Sequence, residues 1–322
     1  MKVRRVVLVL TLAALSLCVQ GSARTCRDVP FVQDFAEKIP LASELGEAKL
    51  IKVRADRNGR ILVLSDKELL QVHAGELVPD RLHRPVADMH VRDIEVHDGQ
   101  FVYLTDELVL SNQWAGRLLI EHGVQNPEML ALGKDRDASI VSEGRVIRFR
   151  DGAAAHVYEV GDARIRQTLF DEKRDRFLVL TDAGLSCLDA NRQARVVLER
   201  ADLNCLALAD AGDSLLVGTS EGYFTLDTES FEQRGEVVKK LPWPDTRCIT
   251  PVGDSVWFGT PRGGFALNAD GDIDYYACRR WLVDDAVVDI AEGPEGSVLV
   301  LSEKGLSIIY FEKMTLGQKA EH

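Results

Sequence analysis

The chain has 322 residues, 46% hydrophobic and 28% charged, which is ordinary for a soluble globular protein. Its formal net charge is −12, so it lacks the basic surface that binds nucleic-acid phosphates, and we expect no nucleic-acid partner. This length suggests about two domains, although an all-β barrel or propeller can use it as one.

The N-terminal residues resemble a secretory signal peptide. Lys2, Arg4 and Arg5 make the first residues basic, Val6 to Leu17 is mostly apolar, and small residues surround a cut after Ala23. The apolar stretch is too short for a membrane span. A retained anchor and lipidation at Cys18 are alternatives, but Leu17 occupies the position where a lipoprotein signal prefers a small residue. We expect a secreted or periplasmic protein with no membrane association once the signal is removed.

A short sequence motif recurs seven times along the chain. Each copy is an apolar run that ends in Thr or Ser, a few polar or small residues, and a second apolar run. The runs begin at Ile61, Phe101, Ala138, Phe177, Leu215, Val256 and Val298, which are 40, 37, 39, 38, 41 and 42 residues apart. A period near forty built from short strands and tight turns predicts an all-β fold, a seven-bladed β-propeller.

Each repeat predicts four antiparallel strands, which make one blade. An apolar run such as Val91 to Val96 comes first, the central run second, and a run such as Leu185 to Leu188 third. A more variable stretch such as Arg195 to Glu199 is the outermost strand. The central runs are apolar at consecutive positions, which indicates strands buried on both faces between neighbouring blades. We interpret the Thr/Ser turns as hairpin geometry rather than chemistry.

The last repeat shows only three strands, since the segment after Tyr310 runs into a tail that looks helical. Thr315 and Gln318 have the spacing of a capping box in that tail. We expect residues 24–48 to supply the missing strand, for example through Val29 to Val32. The predicted domains are a signal peptide (1–23), a propeller (24–311, with 24–48 closing it) and a tail that begins a helix (312–322).

Two stretches resemble regulator-propeller repeats, which occur in the extracytoplasmic sensor halves of bacterial hybrid two-component systems. They run from Leu215 to Gly222 and from Val256 to Gly264, and the junction from Tyr275 to Val287 adds to the likeness. Cys278 departs from the pattern, where a small residue is expected. The resemblance implies a seven-bladed propeller that recognises glycans or other ligands.

Five cysteines remain after signal removal, so at least one thiol is unpaired within the chain. Cys26 and Cys278 lie outside the strand cores and form the predicted disulfide. We interpret Cys205 and Cys248 as small buried hydrophobic residues. No cysteine spacing indicates a metal site, and we expect no cofactor.

Residues Asn268 to Asp274 resemble a calcium loop in part. Ile273 and Arg279 occupy positions where the EF-hand pattern requires Gly and Glu. We interpret the segment as a polar hairpin between the outer strands of the sixth blade, with weak calcium binding as the alternative.

The best candidates for ligand binding lie on two junctions between blades. Arginine and tryptophan side chains together can stack on and hydrogen-bond a sugar or a carboxylate, although such Trp residues also pack between blades. The predicted ligand-binding residues are Trp243, Asp245 and Arg247 on one junction, and Arg279, Arg280, Trp281, Asp284 and Asp285 on the next.

No nucleophile elbow, P-loop or paired metal-ligand motif is present, and we assign no catalytic residue. We favour an exported, non-catalytic propeller that binds a carbohydrate or protein ligand. The alternatives are a propeller lyase or hydrolase acting on a polysaccharide, and the propeller half of a longer enzyme whose catalytic domain lies elsewhere.

Overall fold

The computed structural model describes residues 31–81, 89–111, 117–119, 122–134, 137–151, 153–161, 163–189 and 194–321. The predicted signal peptide (1–23), Cys26 and the first part of the predicted closing segment (24–30) lie outside the described residues. Within these ranges, no helix is both long and apolar enough to cross a membrane.

The described residues form 28 strands and a short C-terminal helix. The strand β1 Phe31–Pro40 precedes blade 1, which contains β2 Leu50–Ala55, β3 Ile61–Ser65, β4 Leu69–His73 and β5 Glu76–Pro79. Blade 2 contains β6 Val91–His97, β7 Gln100–Thr105, β8 Leu108–Leu110 and β9 Arg117–Leu118, and blade 3 contains β10 Pro127–Leu132, β11 Ala138–Ser142, β12 Arg145–Arg150 and β13 Ala153–Glu159. Blade 4 contains β14 Ile165–Asp171, β15 Arg176–Thr181, β16 Gly184–Leu188 and β17 Ala194–Glu199, and blade 5 contains β18 Leu203–Ala209, β19 Ser214–Thr219, β20 Gly222–Asp227 and β21 Gln233–Val238. Blade 6 contains β22 Cys248–Val252, β23 Ser255–Thr260, β24 Gly263–Leu267 and β25 Ile273–Tyr276, and blade 7 contains β26 Val287–Glu292, β27 Val298–Ser302 and β28 Gly305–Met314.

These strands form seven separate four-stranded sheets. In blades 1 to 6 the sheet order follows the chain order, and each strand pairs antiparallel with the next. The predicted seven-bladed propeller is therefore confirmed, and its first blade begins at Leu50.

The second strand of each blade is buried on both faces, as its unbroken apolar run predicts. Every residue of β15 and of β19 is buried. The outermost strand β17, by contrast, has exposed or half-buried residues throughout. Burial on both faces means that each blade packs against two neighbours, so most of the apolar core lies between blades.

The recurring Thr and Ser residues shape the turn into the third strand. In six of the seven repeats the hydroxyl donates to the carbonyl oxygen of the third residue after it, over 3.1 Å at Thr181, 3.0 Å at Thr219 and 2.7 Å at Thr260. The exception is Ser142, whose hydroxyl donates to the Gln125 carbonyl. Nearby backbone N–H groups donate back to the same oxygen, as Glu221 does to Thr219 over 3.1 Å. The interpretation of these residues as hairpin geometry is confirmed.

Blade 7 is completed by the N-terminal strand. Its sheet order is β1-β28-β27-β26, so β1 is the outermost strand. The chain then crosses to blade 1, where the Ala42 N–H donates to the Leu77 carbonyl over 3.1 Å. Ile39 is fully buried and belongs to an apolar cluster with Leu77 and Leu306. An N-terminal strand thus completes the sheet of the last blade and closes the ring.

The described residues fall into two compact units, 34–311, and 31–33 with 312–321. In the second unit, helix α1 spans Leu316–Glu321. The Thr315 N–H donates to Gln318 Oε1 over 2.8 Å, and the Gln318 N–H donates to Thr315 Oγ1 over 3.3 Å. These are the two bonds of a capping box, so that prediction is confirmed. The domain bounds 1–23, 24–311 and 312–322 stay predictions.

We predict that Ile39→Ala lowers the free energy of unfolding by about 3 kcal/mol, because it opens a cavity where the closing strand meets blade 1. Urea denaturation measures the change. Val196→Ala on β17 is the control, since Val196 is 58% exposed and its loss should cost at most about 0.5 kcal/mol. Equal costs would contradict a closing role for β1.

We predict that Gly222→Ala destabilises the protein by about 3 kcal/mol. Gly222 has φ +139°, and an added Cβ would overlap the Val238 carbonyl oxygen of the outermost strand. Gly235→Ala in the same blade is the control, because Gly235 has φ +76° with open space around it, and we expect about 1 kcal/mol. The same urea titration compares the two variants.

Candidate functional site

The innermost strands of the seven blades surround a central channel of about 1080 Å³. Each innermost strand starts at a junction between blades and ends at the turn into the second strand. We call the face with the junctions and the Thr/Ser turns the junction face. The channel therefore has one mouth on the junction face and one on the opposite face.

A β-bulge lies at the second residue of the innermost strand in six blades. The pairing register skips this residue, for example between Val91 and Asp93. In blade 6, Arg247 occupies the equivalent place just before β22, and its N–H donates to the Gly259 carbonyl over 2.8 Å. A bulge frees a side chain from the ladder and redirects it. These residues line the channel near the junction face, and we call them the bulge ring: Ile51, Arg92, Glu128, Arg166, Asn204, Arg247 and Val288.

Three arginines of the bulge ring are exposed: Arg92, Arg166 and Arg247. Arg92 Nε lies 2.5 Å from a carboxylate oxygen of Asp106. Arg166 Nη1 donates to the Leu203 carbonyl over 3.1 Å. Arg247 Nε lies 3.8 Å from Asp245 Oδ2, with both side chains 44% exposed. Exposed pairs of this kind contribute at most about 1 kcal/mol, so the guanidinium groups remain available to a ligand.

Deeper in the channel, charges from blades 7, 1 and 2 form one network. Lys52 Nζ lies 2.5 Å from Asp93 and 2.8 Å from Glu95. Arg54 bonds to Glu95 over 2.9 Å and to Asp289 over 2.8 Å. Each of these five side chains is at most 23% exposed. Burial of charge is costly unless the charge is paired, and here each group has at least one opposite partner.

The network shifts the pKa values of two carboxyls in opposite directions. Burial raises the pKa of Asp93, while Lys52 opposes the rise. Burial also acts to raise the pKa of Glu95, but the charges of Arg54 and Lys52 outweigh it and lower that pKa to about 2. Glu95 is therefore an ionised carboxylate at neutral pH.

The side chain of the third residue of several innermost strands forms a hydrogen bond to the backbone of the next blade. Asp289 accepts from the Val53 N–H over 3.0 Å, and Asp93 accepts from the Leu130 N–H over 2.8 Å. Gln167 both accepts from the Leu206 N–H over 2.8 Å and donates to its carbonyl over 2.9 Å, and Thr250 donates to the Ile290 carbonyl over 2.8 Å. These side chains are therefore structural as well as channel-lining.

Trp243 lies in a cluster on the junction face that we call the junction cluster: Trp243, Arg262 and Tyr275. The Arg262 guanidinium carbon is 4.4 Å from the Trp243 ring centroid. Trp243 Nε1 donates to Tyr275 Oη over 3.2 Å, and Tyr275 Oη donates to the Arg262 carbonyl. Trp243 is half-buried, Arg262 is exposed and Tyr275 is 42% exposed. This is a fixed aromatic surface in which a cation covers one face of the indole.

Asp245 and Arg247 follow Trp243 along the same junction, which leads into β22 at the channel. Asn204 Nδ2 donates to Asp245 Oδ1 over 3.3 Å and to the Thr246 carbonyl over 3.1 Å. Asn204 and Arg247 both belong to the bulge ring. The first predicted set of site residues therefore leads from the aromatic surface to the channel.

In the second predicted set, Arg279 is exposed whereas Trp281 packs into the protein. The Trp281 ring meets the Tyr276 ring edge to face at 5.5 Å and contacts the apolar cluster shared by blades 6 and 7. Arg280 places its guanidinium carbon 4.3 Å from the Trp281 ring centroid. Trp281 thus packs between blades, which the sequence analysis gave as the alternative to ligand binding.

Asp284 and Asp285 organise the junction before blade 7. Asp284 accepts from the Ala286 N–H over 3.3 Å and lies 3.4 Å from Lys304 Nζ. Asp285 accepts from the Cys278 N–H over 2.6 Å and from its thiol over 3.3 Å. The Gly263 N–H donates to the Asp285 carbonyl over 2.7 Å, which connects this junction to the turn that carries Arg262. Since Cys26 lies outside the described residues, the disulfide with Cys278 stays a prediction.

The segment 268–274 spans the turn of a polar hairpin between β24 and β25. The Asn268 N–H donates to the Asp272 carbonyl over 2.9 Å, and Asn268 Nδ2 donates to Asp274 over 2.8 Å. In the part of the chain that the structure describes, no group of three or more His, Cys, Asp or Glu is placed to hold a metal ion. Weak calcium binding at this turn stays a prediction.

Cys205 and Cys248 both line the channel. Cys205 is 5% exposed, and burial raises the pKa of its thiol to about 12. Burial likewise raises the pKa of the half-buried Cys248. Both thiols are thus protonated and act as small apolar groups, although Cys248 is less buried than the sequence predicted.

Sequence reasoning missed Arg92, Arg166, Arg262 and Tyr275. A signal for the first two was present, because Arg92, Arg166 and Arg247 recur at equivalent positions about two repeats apart. The signal could not be recognised from sequence alone, because the position of the bulge is known only from the pairing register of each innermost strand.

We predict a pH dependence of stability that Glu95 carries. Because its pKa falls from 4.5 to about 2 on folding, its contribution is present above about pH 4.5 and is lost as the pH falls through 2. The whole contribution is roughly 3 kcal/mol, with about two thirds lost by pH 3. Urea unfolding at pH 6 and pH 3 should therefore show a smaller drop for Glu95→Gln than for the wild type. Glu236→Gln, which changes an exposed carboxylate on the outermost strand β21, should behave as the wild type.

No family model matches this sequence, and no curated protein matches it at a significant level. Solved structures do share its fold. A streptogramin B lyase matches with a TM-score of 0.67 and 12% identity, covering 87% of this chain and 98% of that chain. The extracellular domain of the putative hybrid two component system BT4673 from B. thetaiotaomicron matches with a TM-score of 0.65 and 14% identity, covering 86% of this chain and 39% of that chain.

The WD40 β-propeller domain of Doa1 matches with a TM-score of 0.63 and 11% identity, covering 88% of this chain and 97% of that chain. At such identities the likeness shows the fold alone, and one fold supports several functions. The solved propellers of this fold include extracellular domains of putative hybrid two component systems, which agrees with the resemblance in the sequence. The chain is a seven-bladed β-propeller that shares its fold with those extracellular domains.

Proposed function

We propose that this protein is an exported, non-catalytic binding module that holds a carbohydrate ligand on its junction face. The observation that carries this proposal is the junction cluster, where Trp243, Arg262 and Tyr275 form an exposed aromatic surface with a fixed cation. Export is supported by the signal-like N-terminus and by the extracellular domains among the structures of this fold.

The junction cluster is organised before any ligand arrives. The hydrogen bond from Trp243 Nε1 to Tyr275 Oη fixes the plane of the indole, and the Arg262 guanidinium lies over that ring. Ligand binding then orders few side chains, which preserves affinity. Sugar rings stack on such aromatic faces through their C–H groups, and nearby arginines donate to their hydroxyls or carboxylates.

The channel also favours binding over catalysis. A general acid or base must be free to reach its substrate, whereas Asp93 and Glu95 are tied to Lys52 and Arg54. The opposite pKa shifts of these two carboxyls nevertheless support one second candidate, a polysaccharide lyase or hydrolase that works in the channel. If that candidate is right, the protein should cleave a bound polysaccharide and release new sugar ends, and Glu95→Gln should lose this activity.

The test is a glycan-array screen of residues 24–322 with three variants. Trp243→Ala should lose binding by roughly tenfold or more, because stacking and the adjacent cation contribute about 1–2 kcal/mol. Tyr275→Phe keeps the ring but removes the oxygen that positions Trp243, and should weaken binding less. Trp281→Ala is the matched tryptophan control and should keep the glycan profile. Unchanged binding by Trp243→Ala, or loss confined to Trp281→Ala, would overturn the proposal.

Trp281→Ala should instead lower the free energy of unfolding by about 3 kcal/mol, because Trp281 fills the space between blades 6 and 7. Trp243→Ala should cost about 1 kcal/mol, since its ring contacts the exposed Arg262 and Tyr275 rather than an apolar core cluster and leaves a smaller cavity. Urea titration of both variants measures the difference.

A further inference from the structure

We propose that the bulge ring is an anion site, and that the ligand of this propeller is an acidic oligosaccharide whose carboxylate or sulfate groups bind Arg92, Arg166 and Arg247. This inference rests on the proposed function for the sugar part of the ligand. The anion site itself stands on the geometry of the ring.

The three arginines occupy the same structural position in alternate blades. Arg92 lies in blade 2, Arg166 in blade 4 and Arg247 just before the innermost strand of blade 6. The bulge takes the first two out of the strand ladder, and the third precedes its strand. All three therefore line the same mouth of the channel. Arginines spread around one opening suit a ligand with more than one acidic group.

Their guanidinium groups keep donors for a ligand. Arg166 uses Nη1 on the Leu203 carbonyl, which orients the group without neutralising it. Arg92 uses Nε on Asp106, and Arg247 only approaches Asp245 at 3.8 Å. No other hydrogen bond joins these three guanidinium groups to a residue within the described ranges. A bidentate Arg–carboxylate contact is therefore available at more than one position.

The electrostatics of the ring contrast with those of the whole chain. The ring carries three arginines and one glutamate, Glu128, while the chain as a whole has a formal charge of −12. A local cluster of cations on an acidic protein focuses anions at that point, and long polyanions such as nucleic acids are repelled by the remaining surface. A short acidic oligosaccharide fits both conditions.

The residues beneath the ring set how far an anion enters. Asp93 and Asp289 each follow a bulge residue directly, and their carboxylates face the channel network. They repel an acidic group that moves deeper. The anion is therefore held at the channel mouth on the junction face, next to the junction that carries both Arg247 and Trp243.

Isothermal titration calorimetry at low salt tests the site with four probes. These are trigalacturonic acid, a chondroitin sulfate tetrasaccharide, neutral maltotriose and citrate. The variants are Arg166→Gln and the triple Arg92→Gln, Arg166→Gln, Arg247→Gln. Arg57→Gln is the matched control, because Arg57 is exposed and lines the same channel at its other mouth.

We expect the wild type to bind an acidic oligosaccharide more tightly than maltotriose, with an affinity that falls as salt rises. Each lost arginine should weaken acidic binding by roughly tenfold, and the triple variant by about a hundredfold or more. Arg57→Gln should stay within about twofold, and thermal melting should show that all variants fold. The preference between the uronate and sulfate probes identifies the source of the acidic group.

Three outcomes would overturn the anion site: no binding of any acidic probe to the wild type, equal acidic binding by the triple variant, or an equal loss in Arg57→Gln. Citrate separates this inference from the proposed function. Citrate binding that the triple variant loses, with no oligosaccharide bound at all, supports the anion site and contradicts the carbohydrate function. Maltotriose binding that is as tight as acidic-probe binding and that the triple variant keeps supports the carbohydrate function and contradicts an acidic ligand.

Discussion

Each blade of this protein needs a neighbour on both of its faces, and the rest of the structure depends on that requirement. The second strands have no polar face, as the fully buried β15 and β19 show. A single blade would expose both apolar faces to water, so the blades are stable only as a ring. The ring must also close, and it does so when the N-terminal strand β1 joins the three C-terminal strands of blade 7 in one sheet.

Closure gathers seven innermost strands around one channel, and the channel brings charges together that the sequence spreads over many residues. Lys52 and Arg54 of blade 1 meet Asp93 and Glu95 of blade 2 and Asp289 of blade 7. Paired in this way, the buried charges tie the first blades to the last. Above them the bulge ring presents side chains that the strand ladder does not use. Structural charges and ligand-facing charges thus occupy successive levels of the same strands.

The fold does not determine the function, because a lyase, extracellular domains of putative two component systems and a WD40 domain share it at low identity. Individual residues must carry the argument. Trp243 and Trp281 looked alike in sequence, yet one lies in an exposed cluster with Arg262 and Tyr275 and the other packs between blades. Asp284 and Asp285 are predicted ligand contacts that also accept hydrogen bonds from the backbone of their own junction. The contacts that distinguish Trp243 from Trp281 are formed only by tertiary packing.

The sequence by itself determined the seven blades, the burial of their central strands, the Thr/Ser hairpins and the need for a closing strand, because these follow from local patterns of apolar and turn residues. Tertiary structure decided which side chains share the channel and the junction face. A bulge shifts Arg92 and Arg166 out of the alternation that sequence patterns describe. Gly218 and Gly259 likewise leave room for Cys205 and Cys248, a fit between neighbouring strands that no single segment reveals. Side chains far apart in sequence meet only when the ring closes, and the candidate site lies among them.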